Sequence, residues 1–254
     1  ERLAGLTFPG TYALMARRHF HEYGSNHDDL VNISVKNHMH GFENEFAHIR
    51  KEVSFEKAAS GFMVADPLTL YDCCPTSDGA SCVILAADHV VREFTDDPIW
   101  LKGSGAGSDH LALHDRHSIT QMSATQKAVA QAYKSSGVAA TDIDLAEVHD
   151  CFTIAELMAT EDLGFANRGE GGLFARQGRG IRNEGDVAIN PSGGLKSKGH
   201  PLGATGTGQA VEVFKQLKGT VESARQIRDA NIGLTHNVGG SGATCAVHIF
   251  GRDR

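Results

Sequence analysis

One stretch constrains the fold of this chain more than any other: residues 190–206, which read Asn-Pro-Ser-Gly-Gly-Leu-Lys-Ser-Lys-Gly-His-Pro-Leu-Gly-Ala-Thr-Gly. Its glycines allow tight turns and let the backbone come close to a ligand. We expect Gly193 and Gly194 to contact a substrate. Pro201 restricts the backbone next to His200. The stretch therefore predicts a rigid loop that presents one histidine, a side chain suited to proton transfer near neutral pH.

A helix is predicted directly after this loop. Residues 209–217 place Ala210, Val213, Phe214 and Leu217 at the spacing of one buried helix face. A glycine-rich loop before a helix N-terminus also binds phosphate in many proteins. The Walker order Gly-x-x-x-x-Gly-Lys-Ser/Thr is absent, so a nucleotide-binding P-loop is not expected.

Two further motifs make the interpretation specific. Residues 149–152 read His-Asp-Cys-Phe and follow the apolar run 145–148, while residues 236–242 read His-Asn-Val-Gly-Gly-Ser-Gly. Together with the glycine-rich stretch, and in this order, they resemble the thiolase family. The resemblance is strongest to the archaeal and sterol-carrier-protein type, in which His-Asp-Cys-Phe replaces the Asn-Glu-Ala-Phe of other thiolases.

The alternation of short strand and helix patterns predicts an α/β sandwich with short connections. The resemblance, which covers nearly the whole chain, implies the layered αβαβα sandwich of thiolases, with the N-terminal part of the first half missing. It implies three parts: residues 1–75 as a loop domain that covers the active site, residues 76–109 as the last strands of the N-terminal half, and residues 110–254 as the C-terminal half.

Local patterns predict several individual elements. Helices are expected at Gly10–Tyr23 and Thr125–Ser135, and strands at Val83–Ala87 and Ile99–Gly103. The polar region 28–63 is weakly periodic and predicts a mixture of loops and helix.

Composition excludes several classes of function. The net charge is -7 and no basic run is present, which argues against nucleic-acid binding. No apolar run approaches the roughly 20 residues of a membrane helix, and no N-terminal signal is visible. The five cysteines are odd in number, as is typical of a reducing cytosol, and predict a cytoplasmic protein.

No metal site is expected from the histidine pairs. His19 and His21 would diverge on a helix. His38 and His40 would share a face on a strand, but no cysteine lies nearby to complete a zinc site.

The resemblance implies a role for each motif histidine. His200 matches the Gly-His-Pro histidine, which deprotonates the nucleophilic cysteine and points a nitrogen at the thioester oxygen. A thiolate rather than a thiol is the nucleophile, so a neighbouring imidazole is needed. His149 stands where the Asn of Asn-Glu-Ala-Phe helps, through a water molecule, to build the oxyanion hole of the enolate.

The group that removes the alpha proton of acetyl-CoA is left open between two residues. Thiolases usually carry this acid/base cysteine in a C-terminal Cys-x-Gly, where this chain has His236-Asn-Val238. Either His236 takes that role, or Cys151 supplies a thiol from a neighbouring loop. His236 is slightly favoured because an imidazole titrates near the working pH. We expect the backbone N–H of Val238 to serve the second oxyanion hole, Gly239 to contact the substrate, and the other four cysteines to be structural.

The predicted function is thiolysis of 3-ketoacyl-CoA or Claisen condensation of acetyl-CoA to acetoacetyl-CoA. In thiolases the nucleophilic cysteine lies in the N-terminal half, so we expect it upstream of Glu1. The alternative is a non-catalytic subunit that binds acyl-CoA or lipid. We expect no cofactor apart from the coenzyme A thioester substrates, a homodimer or homotetramer, and an accessory subunit as in archaeal relatives.

Overall fold

The computed structural model describes residues 1–254 and is built around a five-stranded mixed sheet. A short antiparallel hairpin of β1 (Met63–Ala65) and β2 (Leu68–Thr69) precedes it. The sheet consists of β3 (Trp100–Ser108), β4 (Leu145–Glu147), β5 (Ala188–Ile189), β6 (Ile232–Gly239) and β7 (Thr244–Gly251). In space the order is β3-β7-β6-β4-β5; β4 runs parallel to both β5 and β6, whereas β7 is antiparallel to β3 and β6.

Eight α-helices accompany these strands: α1 (Phe8–Tyr23), α2 (His27–Phe42), α3 (Phe55–Ala59), α4 (Ser123–Ser136), α5 (Thr153–Asp162), α6 (Gly171–Arg176), α7 (Gly194–Ser197) and α8 (Thr205–Lys218). None of them is both long enough and apolar enough to cross a membrane. Helix α1 begins where the side chain of Thr7 accepts a hydrogen bond from the Gly10 amide, and it ends at Gly24 in a left-handed conformation.

Helices α4 and α8 cover opposite faces of the sheet. Strand β3 carries alternating glycines, and a Cβ built on Gly105 would lie 1.9 Å from the carbonyl oxygen of Ala128 in α4. Glycine is therefore needed for α4 to approach β3 this closely. On the other face, Val213 of α8 is fully buried near Leu145 of β4. Because both faces are covered, β4 is apolar except for Glu147 at its end.

Helix α2 connects the N-terminal part of the chain to the elements around the sheet edge. It packs against α5, α6 and α7, and its residue Gly41 has no room for a Cβ because Ser197 of α7 lies 2.2 Å from that position. Helix α5 is buried along its whole length. This packing holds α7, and the loop that follows it, in a fixed position relative to the sheet.

Two helices predicted from sequence are observed: Gly10–Tyr23 falls in α1, and Thr125–Ser135 falls in α4. The predicted strand Ile99–Gly103 overlaps β3, which pairs with β7 of the five-stranded sheet. The predicted strand Val83–Ala87 is wrong: these residues form no ladder, and the Ile84 side chain is 90% exposed. A strand needs a partner, and no other strand of this chain runs beside it.

The histidine pair His38 and His40 lies on α2 and not on a strand, which corrects the expected geometry. At two residues apart on a helix the rings diverge. Nδ1 of His38 contacts the carbonyl oxygen of Lys51 at 2.9 Å, and Nδ1 of His40 contacts that of Asn190 at 3.0 Å.

Candidate active site

Three segments meet at one edge of the sheet, at the carboxyl ends of the parallel strands β4, β5 and β6. They are residues 149–152, residues 190–206 and residues 236–239, and we call them together the site edge. Ligands of α/β sheets commonly bind outside the carboxyl ends of the strands. The three sequence motifs are therefore brought together by the strand directions, although up to 87 residues separate them in the chain, as between His149 and His236.

His200 is held through its backbone amide and through one ring nitrogen. Its amide donates to Oγ of Ser77 at 3.2 Å, and its Nδ1 lies 2.7 Å from Oγ1 of Thr205. That hydroxyl donates its one hydrogen to the carbonyl of Pro201 at 3.0 Å, so it accepts from Nδ1–H of His200. Burial and then the charge of Lys198 lower the pKa of His200. The ring is therefore neutral, with the lone pair of a base at Nε2.

His149 lies directly opposite His200. The two rings meet edge to face with their centroids 5.0 Å apart. The His149 ring is buried, and burial, followed by the charges of His200 and His236, lowers its pKa well below the usual range. Nδ1 of His149 lies 3.4 Å from Nδ2 of Asn237. A neutral imidazole at this position can act as a hydrogen-bond donor through its other nitrogen.

The His236 ring is directed away from this pair. Its Nε2 lies 3.0 Å from Oγ1 of Thr125 in α4, and its Nδ1 accepts from the amide of His149 at 3.4 Å. Successive side chains of a strand point to opposite faces, so Asn237, and not His236, lies on the α8 side. Burial lowers the pKa of His236 to about 3. With both ring nitrogens engaged, the geometry weighs against His236 as the base.

The Cys151 side chain is buried next to Tyr12 of α1. The ring of Tyr12 stacks on Phe152 with a centroid distance of 4.6 Å. The tyrosine hydroxyl donates to the carbonyl of Gly240 at 3.3 Å. Burial raises the pKa of Cys151 strongly. The thiol is therefore protonated at neutral pH and needs activation before it can accept a proton.

Asp150, the second residue of the motif 149–152, joins the site edge to α7 and α2. Its carboxylate accepts from the amides of Leu195 at 2.6 Å and Lys196 at 3.2 Å, and from Nδ2 of Asn37 at 2.8 Å. Burial, reinforced by the charge of Glu156, raises the pKa of Asp150 to about 7. The aspartate positions the loop and does not face His200.

Gly193 and Gly194 have positive φ angles of 98° and 60°. A Cβ on Gly193 would lie 2.6 Å from Cα of Gly41, and one on Gly194 would lie 2.3 Å from Oδ2 of Asp150. Close packing against α2 and Asp150 accounts for both glycines. Their expected contact with substrate remains a prediction.

Val238 and Gly239 close β6, where they pair with Cys245 and Thr244 of β7. The side chain of Val238 is buried. This strand pairing does not test the role that we expect for their backbone, which therefore remains a prediction.

An open groove of about 780 Å³ runs beside the His200 loop. Thr205 and Pro201 line one wall, Ser77 and His48 line another, and Lys215 lies at the side of Phe46 with its ammonium 4.7 Å from the ring centre. The groove allows a molecule or a chain segment to approach the site edge.

The residues that sequence reasoning missed are Thr205, Asn237, Gln209 and Tyr12. Thr205 and Asn237 lie inside the quoted motifs, next to residues that were singled out. Tyr12 lies within the predicted helix Gly10–Tyr23, and nothing in its local pattern indicates contact with Cys151.

The family model described as thiolase C-terminal domain-like matches residues 105–252. The chain is 50% identical to the acetyl-CoA acetyltransferase of Methanothermobacter thermautotrophicus and 42% identical to that of Methanocaldococcus jannaschii. These matches include 99% and 100% of the chain, which spans only 65% and 66% of the two relatives. Among solved structures, the Ltp2-ChsH2(DUF35) aldolase superposes with a TM-score of 0.87 at 26% identity, over 98% of this chain and 64% of the other. The predicted thiolase-like α/β fold is confirmed.

Proposed function

The chain belongs to the thiolase family, and we propose that the protein containing it is an acyltransferase that performs thiolysis of 3-ketoacyl-CoA or Claisen condensation of two acetyl-CoA to acetoacetyl-CoA. One observation carries the proposal: His200, with a free lone pair at Nε2, lies 5.0 Å from the His149 ring, centroid to centroid. A base beside a hydrogen-bond donor is what acyl transfer to a thiolate requires.

In the proposed reaction His200 accepts the proton of a cysteine thiol at Nε2. The thiolate attacks the thioester carbonyl of acetyl-CoA, the C–S bond to coenzyme A breaks, and the departing thiolate takes up the proton. In the condensation step a second acetyl-CoA loses an alpha proton. Its enolate oxygen accepts a hydrogen bond from the His149 ring, and its carbon attacks the acyl-enzyme, which releases the cysteine as the leaving group.

We place the nucleophilic cysteine outside these 254 residues. Burial raises the pKa of Cys73 to about 11 and that of Cys74 and Cys245 to about 12, and it raises that of Cys151 strongly. A nucleophilic thiolate needs a lowered pKa. Cys82 is exposed and makes no hydrogen bond to His200. The greater length of the curated relatives and the groove beside His200 both support a thiol supplied by another segment.

For the alpha proton, the geometry favours Cys151 over His236. His236 has no free ring nitrogen on the α8 side, whereas the Cys151 thiol follows His149 by two residues and lies against Tyr12. The raised pKa of Cys151 then requires that the substrate or a neighbouring group stabilise the thiolate.

The proposed partners follow from the same reaction. Acyl-CoA is the substrate, no further cofactor is needed, and we propose a homo-oligomer. An accessory subunit is supported by the aldolase neighbour, whose name includes a DUF35 partner.

Trapping with radiolabelled acetyl-CoA tests the proposal in the full-length protein. Covalent label that is released by added coenzyme A supports acyl transfer. Saturable binding of acetyl-CoA with no covalent label would instead support the non-catalytic acyl-CoA-binding alternative. Label on a cysteine within these 254 residues, identified by peptide mapping, would contradict the placement of the nucleophile.

A further inference from the structure

Two side-chain amides, one buried and one half-buried, connect the backbone of the sheet to the His149 ring. Gln209 of α8 lies next to Asn237 of β6, and Asn237 lies next to His149. We call Gln209 and Asn237 the amide relay. The Gln209 side chain is completely buried, so its amide orientation is set by protein groups alone.

The direction of the hydrogen bonds in the amide relay is determined first at Gln209. Its Nε2 lies 3.1 Å from the carbonyl oxygen of His236 and 3.4 Å from that of Glu147. A carbonyl only accepts hydrogen bonds, so both hydrogens of Nε2 are directed to these two oxygens. The Oε1 atom of Gln209 must then be the atom that faces Asn237, and it can only accept.

This orientation determines the next step of the relay. Nδ2 of Asn237 donates to Oε1 of Gln209 at 3.1 Å and has a second hydrogen, which points to Nδ1 of His149 at 3.4 Å. If the Asn237 amide were reversed, two carbonyl oxygens would face each other. Nδ1 of His149 is therefore an acceptor, and in a neutral ring the hydrogen is carried by Nε2.

The packing of α8 is consistent with this arrangement. Gly206, in the first turn of α8, lies against the Asn237 amide: a Cβ built on this glycine would be 3.4 Å from Cγ of Asn237 and 3.5 Å from Nδ2. The first turn of α8 therefore lies directly beside the Asn237 amide.

We propose that Asn237, oriented by Gln209, is a positioning residue that holds His149 in the Nε2–H tautomer, so that this histidine serves as the hydrogen-bond donor to the substrate oxygen. Thr205 holds His200 in the opposite tautomer, with Nδ1–H and a free Nε2. The two neighbouring imidazoles thus receive different roles: the partner on β6 makes His149 the donor, and the partner on α8 makes His200 the base. This inference rests on the proposed function only for the identity of the substrate oxygen.

The tautomer is measured directly in the full-length protein by two-bond ¹H–¹⁵N correlation spectra after ¹⁵N-histidine labelling, with the His149 signals assigned by their loss in His149→Gln. We expect the Nε2–H pattern in the wild type. In Asn237→Asp, whose carboxylate accepts a hydrogen bond, we expect Nδ1–H. In Asn237→Leu, which keeps the size of the side chain but has no donor, we expect a mixture. The other thirteen of the 14 histidines report whether each variant is folded.

The activity of the same variants shows whether the tautomer matters. Loss of one oxyanion donor typically lowers kcat by about 100- to 1000-fold, and we expect this loss in Asn237→Asp with little change in KM for acetyl-CoA. Gln177→Glu, the same exchange of an amide for a carboxylate at an exposed residue after α6, is the control and should behave as the wild type.

Each combination of results decides a different point. An Nδ1–H ring in the wild type, or an unchanged tautomer in Asn237→Asp, overturns the inference whatever the activity. A reversed tautomer with normal turnover shows that the tautomer has no catalytic role and also overturns it. A wild type with the Nε2–H pattern but without acyl transfer supports the relay and rejects the proposed function.

Discussion

The site edge and the segment 77–97 differ in whether their side chains find suitable surroundings within the chain. At the site edge, polar side chains such as His149, Asp150 and Gln209 are buried and connected by hydrogen bonds. In segment 77–97 the apolar side chains Ile84 and Leu85 are 90% and 77% exposed and form no strand. Burying polar groups costs free energy unless they are paired, and exposing a group of apolar side chains is unusual without an interaction partner. The comparison teaches that the polar side chains of the site edge find their hydrogen-bond partners within this chain, whereas the apolar side chains of segment 77–97 are not covered by it.

The largest effect is expected from His200→Ala, which removes the proposed base at the centre of the site edge. Loss of a general base costs about 100- to 10,000-fold in rate. We therefore expect covalent labelling of the full-length protein by acetyl-CoA to become almost undetectable. The labelling rate is measured by quenching at successive times. His21→Ala, which removes an exposed histidine of α1 away from the site edge, is the control and should label readily. Wild-type labelling by His200→Ala would show that the buried network does not serve acyl transfer.

The second prediction separates Cys151 from His236 as the group that takes the alpha proton. Deuterium washout from acetyl-CoA should fall by about 100- to 10,000-fold in Cys151→Ala, because the Cys151 thiol is better placed. In His236→Gln, acylation and washout should both be reduced only slightly, because the glutamine can still bond to Thr125. Acylation is scored in parallel and should survive in both variants.

The pH dependence of washout provides an independent check. A thiol with a raised pKa is mostly protonated at neutral pH, so washout through Cys151 should increase with pH throughout the neutral range. A His236 base with a pKa of about 3 would already be deprotonated, and the profile would be flat from pH 5 to 8. A flat profile, together with loss of washout in His236→Gln alone, would return the assignment to His236.

The third prediction concerns Thr205, the hydrogen-bond acceptor of His200. Thr205→Val keeps the shape of the side chain but removes the acceptor, so the Nδ1–H tautomer of His200 is no longer favoured. We expect acylation to slow by about 10-fold, which corresponds to the roughly 1.4 kcal/mol of one hydrogen bond. Thr205→Ser restores the hydroxyl and should restore the rate. If serine and valine are equally slow, packing and not the tautomer explains the loss.

The sequence predicted more of the site edge than of its surroundings, for physical reasons. His149 and His200 were assigned to one active site because their motifs resemble those of thiolases, and the structure shows that both motifs follow strands whose carboxyl ends meet at one edge. The orientation of His236 could not be predicted, because it depends on which face of β6 each alternate residue occupies. Thr205 and Asn237 were missed because each acts by contacting one particular ring nitrogen of a histidine. The sequence does not show which side chains come within hydrogen-bond distance of that nitrogen. Val83–Ala87 was predicted as a strand from its apolar residues alone, although a strand also needs a neighbour.

The smallest effect on folding is expected from Ile84→Ser in segment 77–97. Substitutions at exposed positions change stability by no more than about 0.5 kcal/mol, so the unfolding midpoint of the 254-residue chain should not move. Its solubility should nevertheless improve, because exposed apolar side chains promote association. Without the substitution we expect this chain, expressed alone, to be insoluble or inactive.

Ile154→Ser is the matched control, since Ile154 of α5 is completely buried. It places a polar group in the core and leaves a cavity, so it should lower the midpoint strongly. The same pair of variants in the full-length protein then tests the comparison itself. If Ile84 is covered there, Ile84→Ser will be destabilising in the full-length protein and neutral in the 254-residue chain. Soluble yield, the urea midpoint of each variant and thiolase turnover give the three readouts. A 254-residue chain that is soluble and monomeric with full turnover would contradict both the exposed character of segment 77–97 and the placement of the nucleophile outside the chain.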